Sequence, residues 1–293
     1  MKNKIVYSVI IPHHDTPDLL QRCLESIPRR EDLEIIIVDD NSNLSKEDFD
    51  TFPGLGEENV EVIFSKEGRG AGYARNLGVE KSSGEWLIFA DADDFFTSNM
   101  AFVLDKYKDN HTLDLVFFNA NTVDEYGVYN PTPLGKYISN YISRRPYAEK
   151  ILRYGFWTPW SRMYRSRLIK DNNILFEELP TGNDVMFVLN ATKLSKSFDI
   201  IKDPVYIYYV PTGGSQTSKK YTKEFQNIRL ETRLRMLRIY KEINYPFLPP
   251  IIGTFPVFSD HSLNPLLDSY KYNYLEDIKN YISHALAKLF NII

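Results

Sequence analysis

Cysteine is almost missing from this chain. One occurs in 293 residues, Cys23, so no disulfide can form within the chain and a framework stapled by such bonds is excluded. The lone thiol fits a reducing compartment, and its place on the apolar side of an expected helix makes it a small core residue. Long apolar runs are missing too: no stretch reaches the roughly 18 residues of a membrane-spanning helix. Met1 to Lys4 followed by Ile5 to Ile11 resembles a leader at first sight. Ser8 breaks that run, Pro12-His13-His14-Asp15 stops it and no small-residue cleavage site follows, so it reads as a first strand. A cytoplasmic protein is expected, at most peripheral on the inner face of a membrane. Basic excess is also lacking. Against 39 Asp and Glu stand 35 Lys and Arg, a net charge of −4, which leaves no surplus to neutralise a phosphate backbone and argues against a nucleic-acid partner.

What is present suits a folded α/β chain. Hydrophobic residues make up 43% and charged residues 25%, as in ordinary globular proteins. Strand and helix patterns alternate from residue 5 to 90. Ile5 to Ile11 reads as a strand. Thr16-Pro17 then opens a helix with the stripe Leu19, Leu20, Cys23, Leu24 and Ile27. Leu33 to Val38 has the continuous apolar character of a parallel strand buried on both faces. Val60 to Phe64 is a third strand, a helix follows through Ala74, Leu77 and Val79, and Glu85 to Ala90 is a fourth strand. Such alternation predicts a doubly wound, mostly parallel sheet. Further on, helices are expected at Met100–Tyr107, Ser166–Lys170 and Asp184–Leu194, and strands at Leu113–Asn119, Ser161–Tyr164 and Pro204–Val210. Asn130-Pro131-Thr132-Pro133 reads as a surface excursion. A long charged helix at Tyr221–Ile243, a proline linker at Pro246, Pro249 and Pro250, and a last helix at Tyr274–Leu289 complete the chain.

Polar residues gather where the strands end. Ala90-Asp91-Ala92-Asp93-Asp94 puts three carboxylates within four residues after an apolar strand. Asp91 and Asp93 leave an extended segment on one face, and oxygen ligands that close suit a hard cation, Mg²⁺ or Mn²⁺. Asp39-Asp40 ends the second strand, where a carboxylate can accept an N–H from a base or simply cap a turn. Gly68-Arg69-Gly70-Ala71-Gly72 is misplaced for a dinucleotide fingerprint, which belongs after the first strand. Its glycines still let backbone approach a ligand, and Arg75, one turn on, would point back at the same rim. Asp184 precedes an apolar helix, as a cap or as a general base. His13-His14 lacks zinc partners at ligand spacing, and one ring could stack on a nucleobase.

Together these segments resemble the family 2 glycosyltransferases, which have the GT-A fold. The resemblance rests on Ser8 to Asp15, Glu34 to Ser42, Gly70 to Gly78 and Gly84 to Asp94. It continues more loosely through Ser161 to Leu168, Gly182 to Phe187 and Gly214 to Thr217. It implies a GT-A catalytic domain over residues 1–220, with a nucleotide-binding half (1–95) and an acceptor-binding half (96–220), and a C-terminal helical extension over 221–293. It also implies transfer of a sugar from a nucleoside-diphosphate sugar, UDP-hexose first, to a hydroxyl of a saccharide or lipid-linked acceptor. Inversion, a divalent metal and bacterial surface polysaccharide synthesis go with that activity. Pro12, His13, His14 and Asp15 would line the base pocket, with Asp15 where Asn is usual and His14 where a Tyr commonly stacks. Asp40 would bind the base and Arg75 the nucleotide. Asp91-Ala92-Asp93 would be the DxD motif, Asp91 near the ribose or sugar and Asp93 on the metal. Asp184 would be the base, with Asn183 replacing the usual Glu. Trp157 and Trp160 are candidates for stacking the acceptor, or for the core. The final helix is a candidate for membrane-surface contact or for a homodimer contact. A glycoside hydrolase, a sugar-nucleotidyltransferase and a non-catalytic carbohydrate-binding relative remain as alternatives.

Overall fold

A computed structural model describes residues 4–46, 48–211 and 222–246. The chain divides into two compact units, Met1–Lys220 and Tyr221–Ile293. The first unit opens with β1 (Tyr7–His13), α1 (Pro17–Glu25), β2 (Leu33–Asp40), β3 (Val60–Ser65), α2 (Ala71–Lys81) and β4 (Trp86–Phe89). It continues with β5 (Phe95–Phe96), α3 (Asn99–Tyr107), β6 (Leu115–Asp124), β7 (Tyr129–Pro131), α4 (Pro133–Ile142) and α5 (Ala148–Tyr154). A 3₁₀ turn (Pro159–Ser161), β8 (Arg162–Arg165), α6 (Ser166–Lys170), α7 (Val185–Leu194) and β9 (Phe198–Val210) close it.

All nine strands join one sheet in the order β3-β2-β1-β4-β8-β6-β9-β5, with β7 on β6. Strands β1 to β4 pair in parallel. Beyond β4 the sheet is mixed: β8 lies antiparallel to β4 and β6, while β6 and β9 run parallel. The alternation of β1 explains the layers. Tyr7, Val9 and Ile11 face a core shared with α1 and α3, whereas Ile10 faces the opposite core with α2, α4, α5, α6 and α7. Both faces are covered, which is why β1 and β2 read as continuous apolar runs. The strand order reverses on either side of β1, and the crevice beyond the carboxyl ends of β1 and β4 is where such sheets bind ligands.

The excursion expected at residues 130–133 is instead β7 followed by α4. Pro133 occupies the first turn of α4, a position that tolerates a residue without an N–H, and Leu134 and Ile138 bury one stripe. Helix α5 has no counterpart in the sequence reading. Strand β9 begins at Phe198, earlier than expected, and its pairing with β6 slips at Phe118–Ala120.

In the second unit the described element is α8 (Lys223–Glu242). Thr222 caps it by accepting from the Phe225 N–H at 3.3 Å. Thr232, Met236 and Tyr240, four residues apart, are buried, so one face of this charged helix is packed, as expected. Among the described residues no helix is long and apolar enough to cross a membrane. Gly214 to Thr217, Pro249 and Pro250, and the helix expected at Tyr274–Leu289 lie outside the described residues, as do the membrane and homodimer readings placed on that helix.

Candidate functional site

The site is assembled from five loops at one rim of the sheet. After β1 the chain turns through Asp15, whose φ is +58°. Asn and Asp tolerate this left-handed region better than most side chains, so Asp15 can stand where Asn is usual. Its N–H donates to Ser42 Oγ at 2.8 Å, and its carboxylate accepts from the Asn43 N–H at 2.7 Å. These bonds tie the loop after β1 to the loop after β2.

The four residues expected to line the base pocket divide. Pro12 and His13 are buried within β1. The His13 ring accepts from the Thr16 N–H through Nε2 at 3.1 Å, which leaves Nδ1 to donate to Asp39 at 2.9 Å. Both nitrogens are occupied and the buried ring makes a T-shaped contact with Phe52 at 5.2 Å, so His13 braces the loop. Burial alone would raise the Asp39 carboxyl, but bonds from His13 and Ser42 outweigh it and hold the group below its ordinary value. His14 is different: its side chain is 56% exposed, with Nδ1 donating to the Asp40 carbonyl at 3.0 Å.

Asp40 is buried and occupied. Its two carboxylate oxygens accept from the Arg69 and Gly70 N–H groups at 3.1 and 2.6 Å. It therefore shapes the glycine turn, where Gly70 adopts φ +90°, and any base contact must share oxygens already in use.

Helix α2 then draws in a segment a hundred residues away. A Cβ on Gly72 would stand 2.0 Å from the Glu177 carbonyl and 3.3 Å from the Asn183 side chain, so only glycine allows this approach. Asn76 grips the backbone of Phe176 through two bonds, at 2.9 and 2.8 Å, and Phe176 stacks on Phe187 of α7 at 3.7 Å. Arg75 sits between these anchors with its side chain 7% exposed. One amine donates to Asp91 Oδ1 at 2.5 Å, the other to Asn183 Oδ1 at 3.1 Å. Arg75 thus bridges the acidic loop after β4 to the residue before Asp184.

Three carboxyls here are displaced in the same direction. Burial, with a smaller contribution from Asp91, pushes Asp184 up to about 6 against the pull of Arg75. Its side chain makes no capping bond further into α7, while the N–H groups of Asp184 and Val185 at the start of that helix favour its ionised form. Burial and the charge of Asp91 push Asp93 up to about 6 as well. Ala92 between them is buried. Asp94 is fully buried and burial, then Asp91 and Asp93, raise it well above the ordinary value.

Among the described residues no three His, Cys, Asp or Glu side chains form a ready-made metal cage. The donor set still fits a hard divalent ion. Asp91 and Asp93 offer only oxygen, they repel each other, and Mg²⁺-type sites commonly use one or two carboxylates with substrate phosphates filling the rest.

The tryptophans lie inward of the rim. Trp160 is 4% exposed and stacks on Tyr206 and Tyr208 at 4.8 and 5.7 Å, so it is core and not an open platform for an acceptor. Trp157 is half-buried and its indole N–H donates to the Tyr154 carbonyl at 2.7 Å. Sequence reasoning missed Tyr206 and Arg22, which touch the acidic loop. Nothing in the local pattern of either residue marks that role, because their contacts are made across the sheet.

The two-sided α/β sheet with an acidic loop at the carboxyl rim of its parallel strands agrees with the GT-A fold that the family resemblance implies. The sequence profile of glycosyl transferase family 2 matches residues 8–172, and the chain belongs to that family. It is 26% identical to an uncharacterized glycosyltransferase, EpsJ of Bacillus subtilis, over 69% of this chain and 60% of that protein. It is 27% identical to the poly(ribitol-phosphate) beta-glucosyltransferase of Bacillus spizizenii, over 73% of this chain and 34% of that protein. Thus the chain spans under two thirds of the length of these curated relatives. The structure of Staphylococcus aureus TarS 1–349 in complex with UDP-GlcNAc shares the fold, with a TM-score of 0.65 at 19% identity over 97% of this chain and 81% of that one.

Proposed function

We propose that this chain transfers a sugar from a nucleoside-diphosphate sugar, a UDP-hexose, to a hydroxyl of a saccharide or lipid-linked saccharide, with inversion, in bacterial surface polysaccharide synthesis. One observation carries the reading: Arg75 joins Asp91 to the Asn183-Asp184 step, so a carboxylate pair suited to a metal and a carboxyl suited to a base share one rim. A UDP-sugar is supported by the TarS structures with UDP-GlcNAc and with UDP. A polymer hydroxyl as acceptor is supported by the poly(ribitol-phosphate) named for two of the relatives.

In this reading Asp184 takes the proton from the attacking acceptor hydroxyl, and its raised pKa suits a base working near neutrality. Arg75 fixes Asp91 toward the ribose or sugar. His14 presents its exposed ring to the base, with Asp15 and Asp40 setting the loops around it. Asp93, with Asp91, would hold Mn²⁺ or Mg²⁺. Such an ion neutralises the negative charge that builds on the departing diphosphate. The protein would act in the cytoplasm.

The test is UDP release from a panel of UDP-sugars with saccharide acceptors, in Mn²⁺, Mg²⁺ or EDTA. Release that needs both acceptor and metal is the expected result. Cleavage of simple glycosides without a nucleotide, unchanged by EDTA, would support a glycoside hydrolase instead.

A further inference from the structure

We propose that Tyr206, on strand β9, is a positioning residue that sets the metal-holding conformation of the loop Asp91–Asp94 from across the sheet. The proposal rests on the reading of that loop as the donor and metal site.

A single hydroxyl makes two bonds to the loop. It accepts from the Asp91 N–H at 2.9 Å and donates to Asp94 Oδ2 at 2.8 Å. The other oxygen of Asp94 accepts from the Tyr209 N–H at 2.8 Å. Asp94 is thereby consumed as an internal anchor, and its carboxylate is withdrawn from the rim. Arg22 of α1 secures the middle of the loop. It donates to the Asp93 carbonyl at 2.5 Å, and its guanidinium lies against the rings of Phe95 and Tyr209 at 4.9 and 4.7 Å. With these backbone groups fixed, the Asp91 and Asp93 carboxylates are what the loop leaves for a ligand.

The Tyr206 ring is itself held. Trp160 stacks on one face at 4.8 Å and 13°, and Phe96 meets it edge-on at 5.1 Å. Tyr206 is fully buried, and a buried hydroxyl in the middle of a chain of bonds fixes geometry because leaving its partners unsatisfied is costly. The mixed half of the sheet therefore builds part of the nucleotide-side loop.

The experiment is calorimetric titration of UDP at a series of Mn²⁺ concentrations into wild type, Tyr206→Phe, Asp94→Asn, the double variant of these two, and Tyr107→Phe. Tyr206→Phe keeps the ring and its stack and removes only the hydroxyl. We expect its half-maximal Mn²⁺ concentration for UDP binding to rise about tenfold, with circular dichroism unchanged. Asp94→Asn should shift in the same direction, and the double variant should be no worse than the weaker single one, since both break one chain of bonds. Tyr107→Phe, which removes a hydroxyl bond of 2.7 Å to Asp199 at the other end of β9, should leave the Mn²⁺ dependence unaltered. Wild-type Mn²⁺ dependence in a folded Tyr206→Phe protein would overturn the positioning role while leaving the donor-site reading intact. Equal shifts in Tyr206→Phe and Tyr107→Phe would overturn it too, as a general softening of β9. Wild type that binds no UDP at any Mn²⁺ concentration would overturn the donor-site reading and the proposal with it.

Discussion

The two halves of the sheet carry their polar residues differently. In the parallel half, β1 to β4, the candidate residues follow the carboxyl ends of the strands: His14 and Asp15 after β1, Asp40 at the end of β2, the turn Gly68–Gly72 after β3, Asp91 and Asp93 after β4. In the mixed half, the contributing residues reach the rim by packing. Asp184 arrives because Gly72 and Asn76 let the segment before α7 lie against α2, and Tyr206 arrives because β9 runs beneath the acidic loop. Parallel topology places function locally, and the mixed half places it through tertiary contacts.

If that contrast is right, substitutions should separate chemistry from binding by half. Asp184→Asn should lower turnover by ~10²-fold or more while UDP binding stays at the wild-type level, measured by steady-state UDP release and by calorimetry. Unchanged turnover would remove Asp184 from the mechanism. Next in size is Arg75→Ala, which breaks a buried ion pair and should cost about 3 kcal/mol of stability together with loss of UDP affinity. Urea unfolding and calorimetry on the same preparation check it, and a loss of one without the other would mean that Arg75 serves only one half.

The pH profile comes third. The base acts only when ionised, so kcat/KM should fall about tenfold per pH unit below about pH 6, the value to which burial raises Asp184. The sign for stability runs the other way. The folded carboxyls of Asp93 and Asp184 keep their protons to about 6, whereas the ordinary value is 3.8. Between those values the folded state binds more protons than the unfolded one, so this contribution to stability is present below about pH 4 and is lost as pH rises through 6. Denaturant midpoints across that range, without metal, read it out.

The smallest effects distinguish the two adjacent histidines. His14→Ala should weaken UDP binding about fivefold through lost stacking. His13→Ala should leave UDP contacts in place but cost about 2 kcal/mol, because Asp39 and the Thr16 N–H lose a buried partner. The reverse pattern would reassign the ring that meets the base.

What could be read in the sequence follows the same division. The strand ends of the parallel half are contiguous motifs, so Asp40, Arg75 and the Asp91–Asp93 pair could be singled out as candidates, and Arg75 does reach back to Asp91. Alternation along β1 carries His13 onto the face of Tyr7, Val9 and Ile11, where its ring meets Phe52 of the same core, so the inward histidine follows from the period of the strand. In the mixed half the motifs scatter. Asn130 to Pro133 carries turn residues, and its turn chemistry hid the start of α4 even though Pro133 suits a first helical turn. Trp160 reads equally as platform or core until Tyr206 and Tyr208 are placed beside it. Tyr206 itself is one aromatic among 20 tyrosines, and only the sheet order brings it under Asp91.

In the proposed site, one rim joins a nucleoside-diphosphate pocket built by the parallel half to a base supplied by the mixed half. Thermal stability of wild type, Asp93→Ala and Asp184→Asn against nucleoside diphosphates in Mn²⁺, Mg²⁺ or EDTA tests it most directly. A ligand at 100 times its Kd adds about 2.7 kcal/mol. We expect stabilisation by UDP that needs the metal, disappears in Asp93→Ala and persists in Asp184→Asn. No stabilisation of wild type by any nucleotide, or full stabilisation of Asp93→Ala, would contradict it.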